Sequence, residues 1–251
     1  MSLTPTDLLG DAWRQWRRER TLLLAVAGPF VFLPSYAMAL LVTAAPAMPE
    51  RGAPQVEVLT WLNQFSDWAA ANSPWYLLQF AITYFGVFTM LILLLDPRRP
   101  TVGEAMRQAG RRLPRYLLAT FAIGMAASAG LILFVLPGVY IMARTVGVGP
   151  ALATDPHLSA AGAISRSVAL TRGHVLLLMG VILMLWVGGW IAEQPLAAVD
   201  HWLRDGAEPN PVARAIVDAA LAGVATAIAL ATLLVQVAAF QRLGGTANSG
   251  T

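Results

Sequence analysis

Six apolar runs divide this chain, and they constrain its fold more than any other feature of the sequence. They cover residues 21–42, 73–95, 116–136, 139–153, 174–191 and 211–240. A helix needs about 20 apolar residues to cross the hydrocarbon core of a bilayer, where no water can pair with open backbone groups. The composition agrees, because 57% of the residues are hydrophobic and only 12% are charged. The sequence therefore predicts an all-α integral membrane protein with six transmembrane helices.

The stretch from residue 131 to residue 176 decides the number of spans. Pro137 and Gly138 end the third apolar run and predict a tight turn into the fourth, which carries Arg144. At the helical rise the fourth run reaches only about 22 Å, whereas a bilayer core is roughly 30 Å thick. Either the membrane is thin at this point, or the turn at Pro137 lies below the surface. Counting this turn as a hairpin gives six spans.

Short amphipathic segments precede the first, third and fifth spans. Residues 5–20 and 102–113 place apolar side chains on one helical face and charged side chains on the other, and a third helix starts at residue 156 and ends at Gly173. Helices of this kind lie on a membrane surface. We therefore expect three transmembrane hairpins, each preceded by a cytoplasmic amphipathic surface helix, in a single polytopic domain over residues 1–251. This order also predicts three structural repeats, over residues 5–95, 101–153 and 156–240.

The positions of the arginines predict the orientation. All 17 basic residues are Arg, and with six spans Arg51, Arg204 and Arg214 lie on the side away from the termini. Cytoplasmic loops carry the excess of basic residues, so both termini are predicted to be cytoplasmic. The first apolar run has 22 residues, more than the roughly 7–15 of a secretory signal, and is predicted to be retained. The thirteen arginines on the side of the termini are Arg14, Arg17, Arg18, Arg20, Arg98, Arg99, Arg107, Arg111, Arg112, Arg115, Arg166, Arg172 and Arg242.

One part of the chain resembles a known family. Its motif consists of Leu136-Pro137-Gly138-Val139-Tyr140, Arg144, Ala163, Ser165-Arg166-Ser167 and Leu170-Thr171-Arg172-Gly173. It is similar to the YciC-like proteins and to the membrane domain of glycerophosphoryl diester phosphodiesterases, a family of bacterial integral membrane proteins. Asp155-Pro156-His157 departs from the family's usual pattern before the third surface helix.

The resemblance implies a polytopic helical protein of the bacterial inner membrane. It implies a structural motif made of Pro137, Gly138, Ser165, Thr171 and Gly173. It does not imply phosphodiesterase activity, because the His-Arg-Gly opening of the separate catalytic domain is absent.

The sequence contains no recognisable catalytic arrangement. His157, His174 and His201 lie far apart in the sequence, and there is no Gly-rich phosphate loop or nucleophile elbow. The chain has no Cys, which excludes disulfides and thiolate metal ligands. We therefore predict no enzyme activity, no cofactor and no metal, and the membrane placement of the arginines argues against nucleic acid.

Arg144 is the strongest candidate for a binding residue, because it stands inside the fourth predicted span. An ionisable residue within a membrane is by default a functional-site hypothesis. The alternative is structural: Arg144 bonds carbonyls freed near Pro137 or Pro150, or extends to the outer headgroups. The predicted binding residues are Arg144, Tyr140, Gln79, Arg166 and Arg172.

Two functional classes remain open at this point. In the first, the protein is a non-enzymatic membrane factor whose Arg-bearing helices bind anionic lipid on the cytoplasmic leaflet, with a protein partner or a second copy in the membrane. In the second, it is a transporter or permease-like protein with broken helices around a site near Arg144 and Gln79. A polar cavity that reaches Arg144 would favour the second class, and a packed core would favour the first.

Overall fold

All regular secondary structure is helical over the residues that the structure, a computed structural model, describes, which are 4–205 and 210–248. A π-helical turn, Gly28–Phe32, joins the first two helices. The helices are α1 Pro5–Ala27, α2 Leu33–Leu41, α3 Gln55–Leu95, α4 Val102–Leu133, α5 Val135–Arg144, α6 Val148–Thr154, α7 Ala160–Leu170, α8 Val175–Asp205 and α9 Pro211–Asn248.

Six helical stretches are long and apolar enough to cross a membrane, as the sequence predicts. They carry many exposed large apolar side chains, such as Ile132 at 87% and Leu176 at 84% exposure. Such side chains are costly in water and normal against lipid tails. The stretches are Pro5–Leu41, Gln55–Leu95, Val102–Leu133, Val135–Thr154, Val175–Leu203 and Pro211–Gly244.

The first two predicted surface helices are not separate elements. Each continues into the following span, as α1 over Pro5–Ala27 and as α4 over Val102–Leu133. Between Asp11 and Ala27 the sequence has no Gly or Pro that could end a helix. In α4 the only Pro, Pro114, is accommodated inside the helix, since one Pro removes one backbone hydrogen bond without forcing the chain to turn.

Two of the segments between the apolar runs are largely helical as well. α3 begins at Gln55 and runs for 41 residues through Pro74, so the segment before the second apolar run and that run form one element about 60 Å long. Most of the segment between the fifth and sixth apolar runs is also helical, because α8 continues through Pro195 to Asp205.

The turn between the third and fourth spans lies three residues earlier than the sequence predicts. Phe134 is extended, with φ −167° and ψ 147°, and α5 starts at Val135, so Pro137 and Gly138 lie in its first turn. The first turn tolerates Pro137, because the N–H groups of that turn have no partner within a helix. Gly130 of α4 and Gly138 of α5 allow the two helices to touch, because a Cβ atom on Gly130 would lie 2.8 Å from the backbone N of Gly138.

α6 forms the centre of the packed core, together with α9. Every residue from Val148 to Ala153 is buried, and α9 contacts α1, α3, α6, α7 and α8. Close approach depends on glycine here as well, since a Cβ atom on Gly149 would lie 2.8 Å from Cδ1 of Leu91. The fourth predicted span, residues 139–153, is therefore not one helix. It consists of two short helices, α5 and α6, separated by a break at residues 145–147.

α7 is the one predicted surface helix that is a separate element. It begins at Ala160 rather than at residue 156, because the Ser159 hydroxyl accepts a hydrogen bond from the Gly162 N–H at 3.1 Å and caps it. Gly173 follows the helix with φ +82°, a left-handed conformation that favours glycine. The helix itself ends at Leu170, three residues before the end predicted at Gly173.

Candidate functional site

A break in the helical backbone lies directly after Arg144, and α7 closes it. The hydroxyl of Ser167 donates to the Arg144 carbonyl oxygen at 2.8 Å and accepts from the Gly147 N–H at 3.0 Å. Ser167 is fully buried. One side chain therefore satisfies two backbone groups that the gap between α5 and α6 leaves open, as buried polar groups require.

The Arg144 side chain is held by the same helix. Its Nη1 donates to Thr171 Oγ1 at 3.3 Å, and its guanidinium lies 5.9 Å from the centre of the Tyr140 ring. Thr171 is 1% exposed, and its hydroxyl donates to the Ser167 carbonyl oxygen at 3.0 Å. Arg144 thus bonds a side-chain hydroxyl, whereas the structural alternative from the sequence expected carbonyls near Pro137 or Pro150.

The remaining predicted binding residues lie in other places. Gln79 lines a groove on α3 and α4 beside Phe80 and Phe121, and no contact in the described chain joins it to Arg144. Arg166 stands over the Phe240 ring at 5.8 Å, and Arg172 is exposed. Of the five, the structure brings together only Arg144 and Tyr140.

The family-like motif also divides into buried and exposed members. Gly138 and Thr171 are buried, whereas Pro137, Ser165 and Gly173 are exposed. Ser167 was not among the predicted structural residues, although it stands only two positions from Ser165. Its distance of four residues from Thr171 places both on one helical face, which is a signal that the sequence does carry.

Five cavities are formed by described residues that do not include Arg144. Directly beyond Arg144, Val146 is 6% exposed and residues 148–153 of α6 are buried. The surroundings are a packed core of small and aliphatic side chains.

A polar cavity of about 680 Å³ lies elsewhere, between α1, the end of α3 and the end of α9. α1 contributes Arg14, Arg18 and Glu19 to its wall, and the turn after α3 contributes Asp96 and Arg99. Leu22, Leu93, Leu94 and Leu95 also line it. We call it the arginine cavity.

Two of its three arginines have no carboxylate partner among the described residues. Asp11 binds Arg14 and Arg242, and Asp96 binds Arg98 at 3.0 Å. The hydrogen bond from Arg98 lowers the pKa of Asp96 below its ordinary value, so this carboxylate stays ionised and paired with Arg98. Arg18 and Arg99 are left to face the cavity with Glu19.

The backbone of Arg99 is held in an unusual conformation. Its φ is +49°, the only positive value for a non-glycine residue in the part of the chain described. Such a conformation costs about 1–3 kcal/mol and persists where the surroundings impose it. Here the Arg99 N–H donates to the Asp96 carbonyl at 3.0 Å, and the Arg98 N–H donates to Asp96 Oδ1 at 3.0 Å. The turn fixes Arg99 at the cavity wall.

The sequence places Arg18 and Arg99 on one side of the membrane but does not predict a shared cavity. They lie about 80 positions apart in the chain, and only the packing of α1 against α3 brings them together.

Within the described residues, no group of three His, Asp or Glu side chains could hold a metal ion. Comparison with protein-family models, with curated proteins and with solved structures found no match to this chain.

Proposed function

We propose that this chain is a non-enzymatic protein of the bacterial inner membrane that binds the phosphate of anionic phospholipid headgroups at its cytoplasmic end. The observation that carries the proposal is the arginine cavity, in which Arg18 and Arg99 lack a described carboxylate partner. A guanidinium fork matches two phosphate oxygens, and it remains charged at all physiological pH values.

The apolar part of the wall supports a lipid rather than a free anion. Leu22 and Leu93 to Leu95 line the same cavity as the guanidinium groups. A phospholipid presents a phosphate next to apolar carbon, so both kinds of wall would be used. A free phosphate would use only the charged side.

The charge distribution supports a cytoplasmic position for this end. Arg14, Arg18, Arg99 and Arg242 meet around the ends of α1, α3 and α9. An anionic cytoplasmic leaflet attracts each nearby basic residue by about 1 kcal/mol, and the excess of arginine predicts both termini inside. Not every arginine is available, since Arg112 bonds the Ala153 carbonyl at 3.2 Å and Arg115 bonds the Pro156 carbonyl at 3.0 Å.

Relationship to the YciC-like proteins and the phosphodiesterase membrane domain remains part of this proposal, and it rests on the motif around Pro137 and Thr171. The transporter alternative draws on the helix break after Arg144. It has less support, because the hydrogen bond to Thr171 and the packed core already account for Arg144.

Removing the two unpaired cavity arginines should weaken lipid binding selectively. We expect the double variant Arg18→Gln, Arg99→Gln to bind phosphatidylglycerol at least about 10-fold more weakly, since a hydrogen bond to a charged group contributes about 1.5–3 kcal/mol. The measurement is lipid titration by native mass spectrometry in detergent.

The matched control is Arg17→Gln, Arg107→Gln, which removes the same charge from exposed arginines outside the cavity wall. It should change the affinity by less than about threefold, as weak surface electrostatics imply. Equal losses in both double variants would contradict a specific site and leave only general surface attraction.

Thiol labelling can test the proposed orientation, because the chain has no Cys. An impermeant maleimide should not label Ala161→Cys in intact cells and should label it after permeabilisation. Ala161 is exposed on α7, and it is preferable to Ser159, whose hydroxyl caps that helix. Asn63→Cys on α3 should give the opposite result. Labelling of residue 161 from outside would overturn the orientation.

A further inference from the structure

A second polar cavity, of about 640 Å³, lies at the opposite end of α9 from the arginine cavity. It is lined by the end of α2 and the chain that follows it, by Trp68 and Tyr76 of α3, by Asp200 of α8, and by Arg214, Asp218 and Leu221 of α9. Arg214 and Gln241, which belong to the two cavities, are separated by about 40 Å along the helix at the ordinary rise. None of the five binding residues predicted from the sequence belongs to this second cavity.

The wall formed by the chain after α2 is fixed in place. The Trp68 indole donates to the Thr43 carbonyl oxygen at 2.9 Å, and the Trp61 indole donates to the Pro46 carbonyl oxygen at 3.1 Å. Phe65 stacks between these two indoles, with ring centres 5.4 and 5.7 Å away. The non-helical segment after α2 is therefore held against α3 by hydrogen bonds at Thr43 and Pro46, and these contacts fix this wall of the cavity.

The cavity holds both signs of charge away from solvent. Asp218 is only 5% exposed. The Nε atom of Arg214 is buried and has no hydrogen-bond acceptor in the described chain. A buried donor without an acceptor is destabilising, and the described residues supply no oxygen for this position. Asp200 and Asp218 already make contacts in the protein, but a carboxylate has about four acceptor positions.

We propose that this cavity binds a small zwitterionic group, with its oxyanion at Arg214 and its ammonium at Asp218. An anion alone would face two carboxylates, and a cation alone would face the guanidinium; a group with both charges matches both walls. The indole of Trp68 and the phenol ring of Tyr76 add faces that attract an ammonium. The volume lies within the usual range of small-molecule sites. The proposal does not rest on lipid binding at the arginine cavity.

Two sources share this chemistry: a soluble amino acid or phosphoethanolamine, and the headgroup of phosphatidylethanolamine. The first arm of the experiment measures thermal unfolding of the purified protein in detergent with glycine, phosphoethanolamine, inorganic phosphate or ethylammonium. The second arm compares nanodiscs made of phosphatidylglycerol with nanodiscs that also contain phosphatidylethanolamine. Binding at high occupancy should raise the midpoint by several °C.

We expect glycine or phosphoethanolamine in the first arm, or phosphatidylethanolamine in the second, to raise the midpoint more than either half-ligand at equal concentration. Arg214→Gln should abolish the rise, and Arg51→Gln, an exposed arginine of the loop after α2, should keep it. If Arg214→Gln does not fold, Leu221→Trp, which fills the cavity from another position on α9, replaces it and should abolish the rise.

Several results would overturn the proposal. These are the absence of a rise with every zwitterion in both arms, an equal rise with inorganic phosphate or ethylammonium alone, or an unchanged rise in the Arg214 or Leu221 variant. A response in the second arm alone supports the proposal and identifies the lipid as the source.

Discussion

Replacing Ser167 with Ala should lower the free energy of unfolding by about 2–4 kcal/mol. The substitution removes the acceptor of the buried Gly147 N–H and the donor to the Arg144 carbonyl, and each buried group left unpaired costs about 1–3 kcal/mol. Water cannot replace the hydroxyl easily, because Ser167 and Gly147 are both buried. The measurement is reversible unfolding in mixed micelles.

Ser165→Ala is the matched control for this substitution. It makes the same chemical change on the same helix, two residues away, at an exposed position, and changes at such positions are usually within about 0.5 kcal/mol. If the two variants have equal stability, Ser167 does not close the break between α5 and α6. The comparison also tests which serine of the family-like motif supports the fold.

Gly130→Ala should destabilise the protein by about 1–3 kcal/mol, the usual cost of overpacking. The added Cβ atom would lie 2.8 Å from the N and 2.9 Å from the Cα of Gly138. These are backbone atoms, so no side chain can rotate away, and α4 and α5 would have to separate. The midpoint of thermal unfolding should fall accordingly.

Gly124→Ala should have the opposite sign. Gly124 lies in the same helix, six residues earlier, and a Cβ atom there meets nothing within 4 Å. Ala is favoured over Gly in a helix interior by roughly 0.5–1 kcal/mol, so this variant should be equally or more stable than the parent. A similar loss in both variants would mean that the contact between Gly130 and Gly138 does not limit the helix pair.

Two features could not be predicted from the sequence: the arginine cavity, and the bridging of the break between α5 and α6 by Ser167. Hydropathy groups the arginines by side of the membrane, because that property depends only on the order of spans. Whether Arg18 finds a carboxylate partner depends on which residues of α3 face α1. In the same way, the sequence places Arg144 inside a span, but its partner Thr171 comes from another helix.

Three of the errors in element boundaries share one cause. Pro74, Pro114 and Pro195 each suggest a helix boundary, and each lies inside a continuous helix. A proline removes one hydrogen bond, and packing or a neighbouring polar group can offset that loss. The helix-breaking tendency of proline gives the cost of the lost hydrogen bond, and packing against neighbouring helices decides whether the helix ends there.

The sequence by itself determined that the chain is helical and how many of its stretches are apolar enough to cross a membrane, and it marked Gly173 as a residue that follows the third amphipathic helix. Those properties depend on run length and on bonds between residues a few positions apart. Only the tertiary structure decided the turn at Phe134, the closing of the break by Ser167 and the two polar cavities. Each of these joins groups that are distant in the chain or depends on close contact between helices, and hydropathy carries no information about which faces meet.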